Sequence, residues 1–141
     1  MNGFLLDTNV VSELIKPRPD RRVATWVEKT SEALLFLSVL TIGEIRKGIA
    51  LHSDPRRRAK LESWLVSDLQ SRFAGRLLAI DAPIAELWGR LTARGEGTGR
   101  RIPTIDGLIA ATAQYHDLTI VTRNPADLAA TGVSLFNPWI D

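Results

Sequence analysis

Phe4-Leu5-Leu6-Asp7-Thr8-Asn9-Val10-Val11 is the stretch that decides the fold. An apolar run ends at a carboxylate, two small polar residues follow, and a new apolar pattern begins. This order reads as a buried strand, with Asp7 at its C-terminal tip, passing into the first turn of a helix. In open α/β sheets, ligands bind in the crevice beyond the strand tips. A carboxylate at such a tip can take up a hard cation. The other acids of the chain are therefore judged by whether they reach Asp7.

Outward from this stretch, strand-like and helix-like segments alternate. Val10 to Ile15 gives a short helical stripe, broken at Lys16-Pro17-Arg18-Pro19-Asp20 because two prolines remove donors and fix φ. Asp20 caps a helix with Val23, Trp26 and Val27 on one face. Leu34 to Ser38 has the length of a strand, and from Thr41 the pattern turns helical, with Glu44 expected in the first turn. Asp54-Pro55 starts a helix expected to run to about Phe73. Leu77 to Ile80 reads as a strand, and Asp81-Ala82-Pro83 opens a helix carrying Ile84, Leu87, Trp88 and Leu91. Arg94 to Arg101, with three glycines, reads as a mobile loop. Pro103-Thr104-Ile105-Asp106 starts another helix, Leu118 to Thr122 is a β-branched strand, and Asn124-Pro125 begins a short helical turn ending near Gly132. Val133 to Phe136 is a last strand. This alternation predicts an α/β fold with right-handed βαβ crossovers and a mainly parallel sheet between helical layers.

The 141 residues fit a single domain with one core, and 45% apolar content is too rich for disorder. The absence of Cys removes disulfides, thiolate zinc sites and Cys nucleophiles. No run is long enough to span a bilayer, and no signal peptide is evident, so a cytoplasmic protein is expected. Net charge is only +2, but the basic residues are grouped: Lys16, Arg18, Arg21 and Arg22; Arg56-Arg57-Arg58 with Lys60; and Arg100-Arg101. Such groups either hold phosphates or form solvated helix surface.

Asp7 ends a strand, while Glu44 and Asp106 begin helices that follow strands or loops. Asn124 and Asp127 follow the strand ending at Thr122. In a parallel sheet whose helices return antiparallel, strand C-termini and helix N-termini share one edge, so these groups converge on one rim. Clustered carboxylates repel, and a divalent cation cancels the repulsion. Mg²⁺ suits the set because it takes oxygen ligands and needs only one or two carboxylates plus substrate phosphate. Taken singly, each acid has a plainer use: Asp7 and Asp106 as helix caps or first-turn acids, Asp127 as a surface acid.

Leu5-Leu6-Asp7-Thr8-Asn9, Gly43-Glu44-Ile45, Asp106 to Ala113 and Val121-Thr122-Arg123-Asn124 together resemble the PIN-domain family. The nearest subgroup is the VapC/FitB-type toxins of bacterial toxin–antitoxin pairs, and the similarity extends through Phe136-Asn137-Pro138-Trp139. The resemblance implies a three-layer α/β/α domain over residues 1–141. It implies Mg²⁺- or Mn²⁺-dependent cleavage of RNA, a cognate antitoxin protein and a homodimer. It places the metal-site acids at Asp7, Glu44 and Asp106. The fourth position carries Asn124 where many relatives have Asp, which leaves a second metal, and a substituting Asp127, open. Thr8, Asn9, Ser38, Thr41 and Thr122 are expected to orient carboxylates or waters. Arg46, Lys47 and Arg123 are expected either to contact RNA phosphates or to sit in surface ion pairs.

The expected reaction is hydrolysis by a cation-activated water, leaving 5′-phosphate and 3′-hydroxyl ends. His52 and His116 have no motif context and are expected to be surface or structural residues. The competing reading is a catalytically idle module that only binds a partner or dimerises, with Leu14, Trp26 and Val27 as interface candidates. A phosphoaspartate phosphatase would need an Asp where Asn9 stands. Dinucleotide binding at Gly95-Glu96-Gly97-Thr98-Gly99 fails on glycine spacing and on the lack of a preceding strand.

Overall fold

Alternating short apolar strands with amphipathic helices leaves the backbone one economical arrangement, a covered parallel sheet. The computed structural model describes residues 2–141 and has that arrangement. β1 (Phe4–Leu6), β2 (Leu35–Ser38), β3 (Leu77–Leu78), β4 (Thr119–Val121) and β5 (Leu135–Phe136) form one sheet in the order β3-β2-β1-β4-β5. Every neighbouring pair is parallel, with Phe4 opposite Leu35 and Leu6 opposite Val121. The chain first builds β2 and β3 on one side of β1 and later adds β4 and β5 on the other. The order therefore reverses at β1, and the crevice between the tips of β1 and β4 is the topological switch point.

Side chains alternate across a strand, so each strand feeds both helical layers. Leu6, Leu35, Leu37 and Val121 join one core cluster with Val10, Val23, Ile45, Leu65 and Phe73. Leu5 and Ile120 join the other with Ile84, Leu91, Ile109 and Ala110. The first layer contains α1 (Thr8–Leu14), α2 (Arg21–Lys29), α3 (Val39–Ala50) and α4 (Pro55–Ser63). A π-helical stretch Trp64–Leu69 and a short α5 (Gln70–Arg72) prolong α4. The second layer contains α6 (Ala82–Gly97), α7 (Thr104–Tyr115) and the 3₁₀ segment Pro125–Thr131. The interface candidates on the early helices are part of the packing: Val27 is buried, Leu14 packs half-buried against the same cluster, and Trp26 lies between Phe4 and Phe136 at 5.0 and 5.3 Å. Among the described residues, no helix is long and apolar enough to cross a membrane.

The starts of α2, α4 and α6 follow the capping signals. Asp20, Asp54 and Asp81 each accept a hydrogen bond from a first-turn amide. Two expectations need correction. α3 begins at Val39 rather than Thr41, because Ser38 Oγ accepts from Leu40 N–H at 3.0 Å. Glu44 is therefore in the second turn. Arg94 to Arg101 is also not a loop throughout, since α6 continues to Gly97. The reason is packing. At Gly95 a Cβ would lie 2.5 Å from the Arg100 carbonyl oxygen and 3.3 Å from Ile102. The chain leaving α6 folds back onto the bare Cα of Gly95, and Arg100 N–H donates to Gly95 O at 2.7 Å.

Gly89 and Gly95 in α6 make a matched test of this packing. A Cβ at Gly89 meets nothing within 4 Å. Gly89→Ala should raise stability by about 0.5–1 kcal/mol through helix propensity. Gly95→Ala should lower it by about 1–2 kcal/mol, because overpacking outweighs the propensity gain. Urea melts of both variants against wild type measure the two signs.

Candidate active site

The β1 strand delivers Asp7 to the switch point, where Asp7 N–H donates to Val121 O at 2.9 Å and ties the two strand tips together. Asp7, Glu44, Asp106, Asn124 and Asp127 all line one cleft of about 410 Å³. Thr8, Asn9, Ser12 and Leu128 complete its wall.

Hydrogen bonds hold Asp7 and Glu44 in place. The Asp7 carboxylate accepts from Thr8 N–H at 2.9 Å through one oxygen and from Thr122 Oγ1 at 2.8 Å through the other. Thr122 is fully buried, and its Oγ1 also accepts from Asn124 N–H at 3.1 Å and from Asn9 Nδ2 at 3.3 Å. Asn9 Oδ1 accepts from Arg123 N–H at 3.2 Å. One hydroxyl thus sets the tip of β1, the start of α1 and the turn after β4. Across the cleft, Thr8 Oγ1 donates to Glu44 Oε1 at 2.6 Å and lies 3.4 Å from the buried Thr41 Oγ1.

The capping alternatives separate the acids. Asp7 is the N-cap of α1 and lines the cleft as well. Asp106 is the third residue of α7, whose N-cap is Pro103. Proline has no N–H, so a capping box cannot use this carboxylate. Asn124 occupies the N-cap position of the 3₁₀ segment but makes no capping bond, which leaves its amide for the cleft. Burial raises the Asp106 pKa above the ordinary aspartate value, and the negative charges of Asp7, Asp127 and Glu44 raise it further.

Other expected residues lie elsewhere. The Ser38 hydroxyl caps α3 and makes no bond to an acid. Arg46 and Lys47 are exposed on α3 and do not line the cleft. The Arg123 guanidinium lies over the Trp139 ring at 5.3 Å. The ion pairs among the described residues are Lys16–Glu13, Arg72–Glu32, Arg76–Glu32 and Arg90–Glu86, so these three cations are in none of them. Ser12 and the apolar Leu128 are the wall residues that pattern reading missed, and Ser12 is the polar one. It follows Thr8 by four positions on α1, which puts both on one helix face, so the spacing held the signal.

The donors are all oxygen, as hard cations require. Among the described residues, however, no three acidic or histidine side chains are close enough to hold an ion by themselves. Coulomb repulsion reaches further than a coordination bond, so Asp106 senses three acids that form no cage with it. The set fits a hydrated cation with few direct protein ligands.

Fold and cleft together define a three-layer α/β/α protein with an acid-lined crevice at the switch point of its sheet. A family model described as PIN domain matches residues 4–132, and the chain belongs to that family. It is similar to Toxin FitB of Neisseria gonorrhoeae, 38% identical over 98% of this chain and 99% of that protein. It is also similar to VapC ribonuclease Y4jK of Sinorhizobium fredii, 36% identical over 96% and 97%. Among solved structures, FitAcB from Neisseria gonorrhoeae superposes with a TM-score of 0.93 at 37% identity, covering 98% of this chain and 99% of that one.

A carboxyl that binds its proton more tightly folded than unfolded takes up protons on folding, so its contribution falls as pH rises. For Asp106 the loss starts near the ordinary aspartate value and is complete once the raised value is passed. In chelator at neutral pH, Asp106→Asn should therefore melt above wild type. Its melting temperature should fall less than wild type's as pH rises from the ordinary aspartate value towards neutrality. Thermal melts across pH measure both effects.

Proposed function

We propose that the chain is a metal-dependent endoribonuclease and the toxin of a toxin–antitoxin pair. The observation that carries this reading is the convergence of Asp7, Glu44, Asp106 and Asp127, from four separate segments, on one cleft. The similarity to proteins named as a toxin and as a VapC ribonuclease supports it. Asp7, Glu44 and Asp106 would hold Mg²⁺ or Mn²⁺, with Asn124 and Asp127 at the fourth position. A bound divalent cation supplies positive charge to the scissile phosphate and to the departing oxygen, and lowers the pKa of water.

The chain's own residues do the rest. Thr8 N–H and Thr122 Oγ1 occupy one lone pair on each Asp7 oxygen and so fix the carboxylate plane before substrate arrives. Thr8 Oγ1 holds Glu44 towards α1. Water adds across the P–O3′ bond, leaving 5′-phosphate and 3′-hydroxyl ends. No imidazole takes part in this scheme: neither histidine lines the cleft, His52 Nδ1 accepts from Asp54 N–H at 3.2 Å, and His116 packs edge-on to Tyr115.

An idle, partner-binding module leaves the convergence unexplained, because clustered acids without a cation only destabilise the fold. The proposed partners are RNA, an antitoxin protein and a second copy of the chain, in the cytoplasm. These rest on the resemblance to toxin–antitoxin pairs and on the relative named as a toxin.

RNA cleavage should appear with Mg²⁺ and disappear with EDTA. Asp7→Asn should lower kcat/KM at least about 100-fold, the loss expected when several kcal/mol of cation-borne stabilisation is removed. Thr122→Val should keep Asp7 but remove the hydroxyl that bonds Asp7, Asn9 and Asn124, costing about 1 kcal/mol of stability together with activity. Gel assays with end mapping and urea melts measure these outcomes. Cleavage indifferent to EDTA and to Asp7→Asn would end the reading.

A further inference from the structure

We propose that Arg100 and Arg101 form a phosphate-binding track along which RNA runs into the acid cleft; this rests on the nuclease reading above. The walls of the cleft contain no Lys or Arg. A polyanion cannot settle against acids alone, so its flanking phosphates need positive charge close by. A groove of about 590 Å³ provides it. Arg100 and Arg101 line this groove, and Asp106 and Asp127 belong to both groove and cleft. The two cavities therefore meet at Asp106 and Asp127, and the groove beyond them is lined by two arginines.

Several features favour this pair over the other basic groups. Both arginines are exposed, and the ion pairs among the described residues include neither. Their charges are uncommitted, and the guanidinium fork matches phosphate oxygens two at a time. Their backbone is also fixed. Arg100 N–H donates to Gly95 O at 2.7 Å, Gly99 takes φ +74°, and Ile102 lies against Gly95 and Gly107. A track on a pinned connection loses little entropy when substrate binds. Ala126, Ala129 and Ala130 supply small side chains along the groove, which leaves room for a sugar or base. Arg46, Lys47 and Arg123 line neither cavity.

The test compares wild type, R100Q/R101Q, R100K/R101K and a charge-matched control outside the groove, K29Q/R90Q. The probe is a synthetic RNA oligonucleotide, bound in EDTA at several salt concentrations and cleaved in Mg²⁺. R100Q/R101Q is expected to weaken binding at least tenfold and to flatten the log–log salt slope by about 0.7 for each phosphate that is no longer neutralised. It should raise KM far more than it lowers kcat. R100K/R101K should recover part of the affinity, and K29Q/R90Q should match wild type. Wild-type affinity and salt slope in R100Q/R101Q, or an equal weakening in K29Q/R90Q, overturns the track while leaving the nuclease reading intact. Wild type that neither binds nor cuts RNA overturns both.

Discussion

Carboxylates of like charge are held around the switch point of a parallel sheet, and the rest of the site follows from that constraint. Burial and three neighbouring acids raise the proton affinity of Asp106, so the repulsion registers on a named side chain. The fold sustains it because the acids come from separate, well-packed segments. Asp7 sits on a strand tip between two hydrophobic layers, and Asp106 on a helix whose Ile109, Ala110 and Ala113 are buried. The cores on both faces of the sheet offset what the acids cost.

Rigidity at the cleft is built from polar contacts. Thr122 Oγ1 bonds to Asp7, Asn9 and Asn124, so the turn after β4 cannot move without the tip of β1. The C-terminal segment supports that turn from behind. Asn137 Nδ2 donates to Arg123 O at 3.3 Å, and Arg22 Nη1 donates to Trp139 O at 2.7 Å. Trp139 itself is buried beneath the Arg123 guanidinium. The Phe136-Asn137-Pro138-Trp139 ending thus has a mechanical use: it fixes the loop that carries Asn124.

Membership of the PIN-domain family and the geometry of the cleft agree without depending on each other. The family follows from the match over residues 4–132, and the cleft from coordinates and hydrogen bonds. The spacing of the acids adds something that neither supplies alone. They are near enough to raise the Asp106 proton affinity, although no three acids among the described residues close around one point.

Local chemistry made much of the chain legible in advance. Asp20, Asp54 and Asp81 mark helix starts because a side-chain oxygen meets free amides one turn on. The apolar run ending at Asp7 marks a strand tip for the same kind of local reason. Other features depended on groups distant in sequence. Gly95 and Gly97 look like loop formers, yet α6 runs through them because the Arg100 carbonyl packs on Gly95 where a Cβ would stand. Arg123 adjoins a site motif in sequence, but its guanidinium lies over the Trp139 ring and the residue does not line the cleft. Periodicity and capping, which act over a few residues, made the order of the elements legible and put Asp7 at a strand tip and Asp106 in a first helical turn, while Glu44 was displaced into the second turn by the Ser38 cap. Which acids share a cleft, and which cations border it, depended on how the elements pack. Packing and Coulomb forces act through space between residues that the chain keeps far apart.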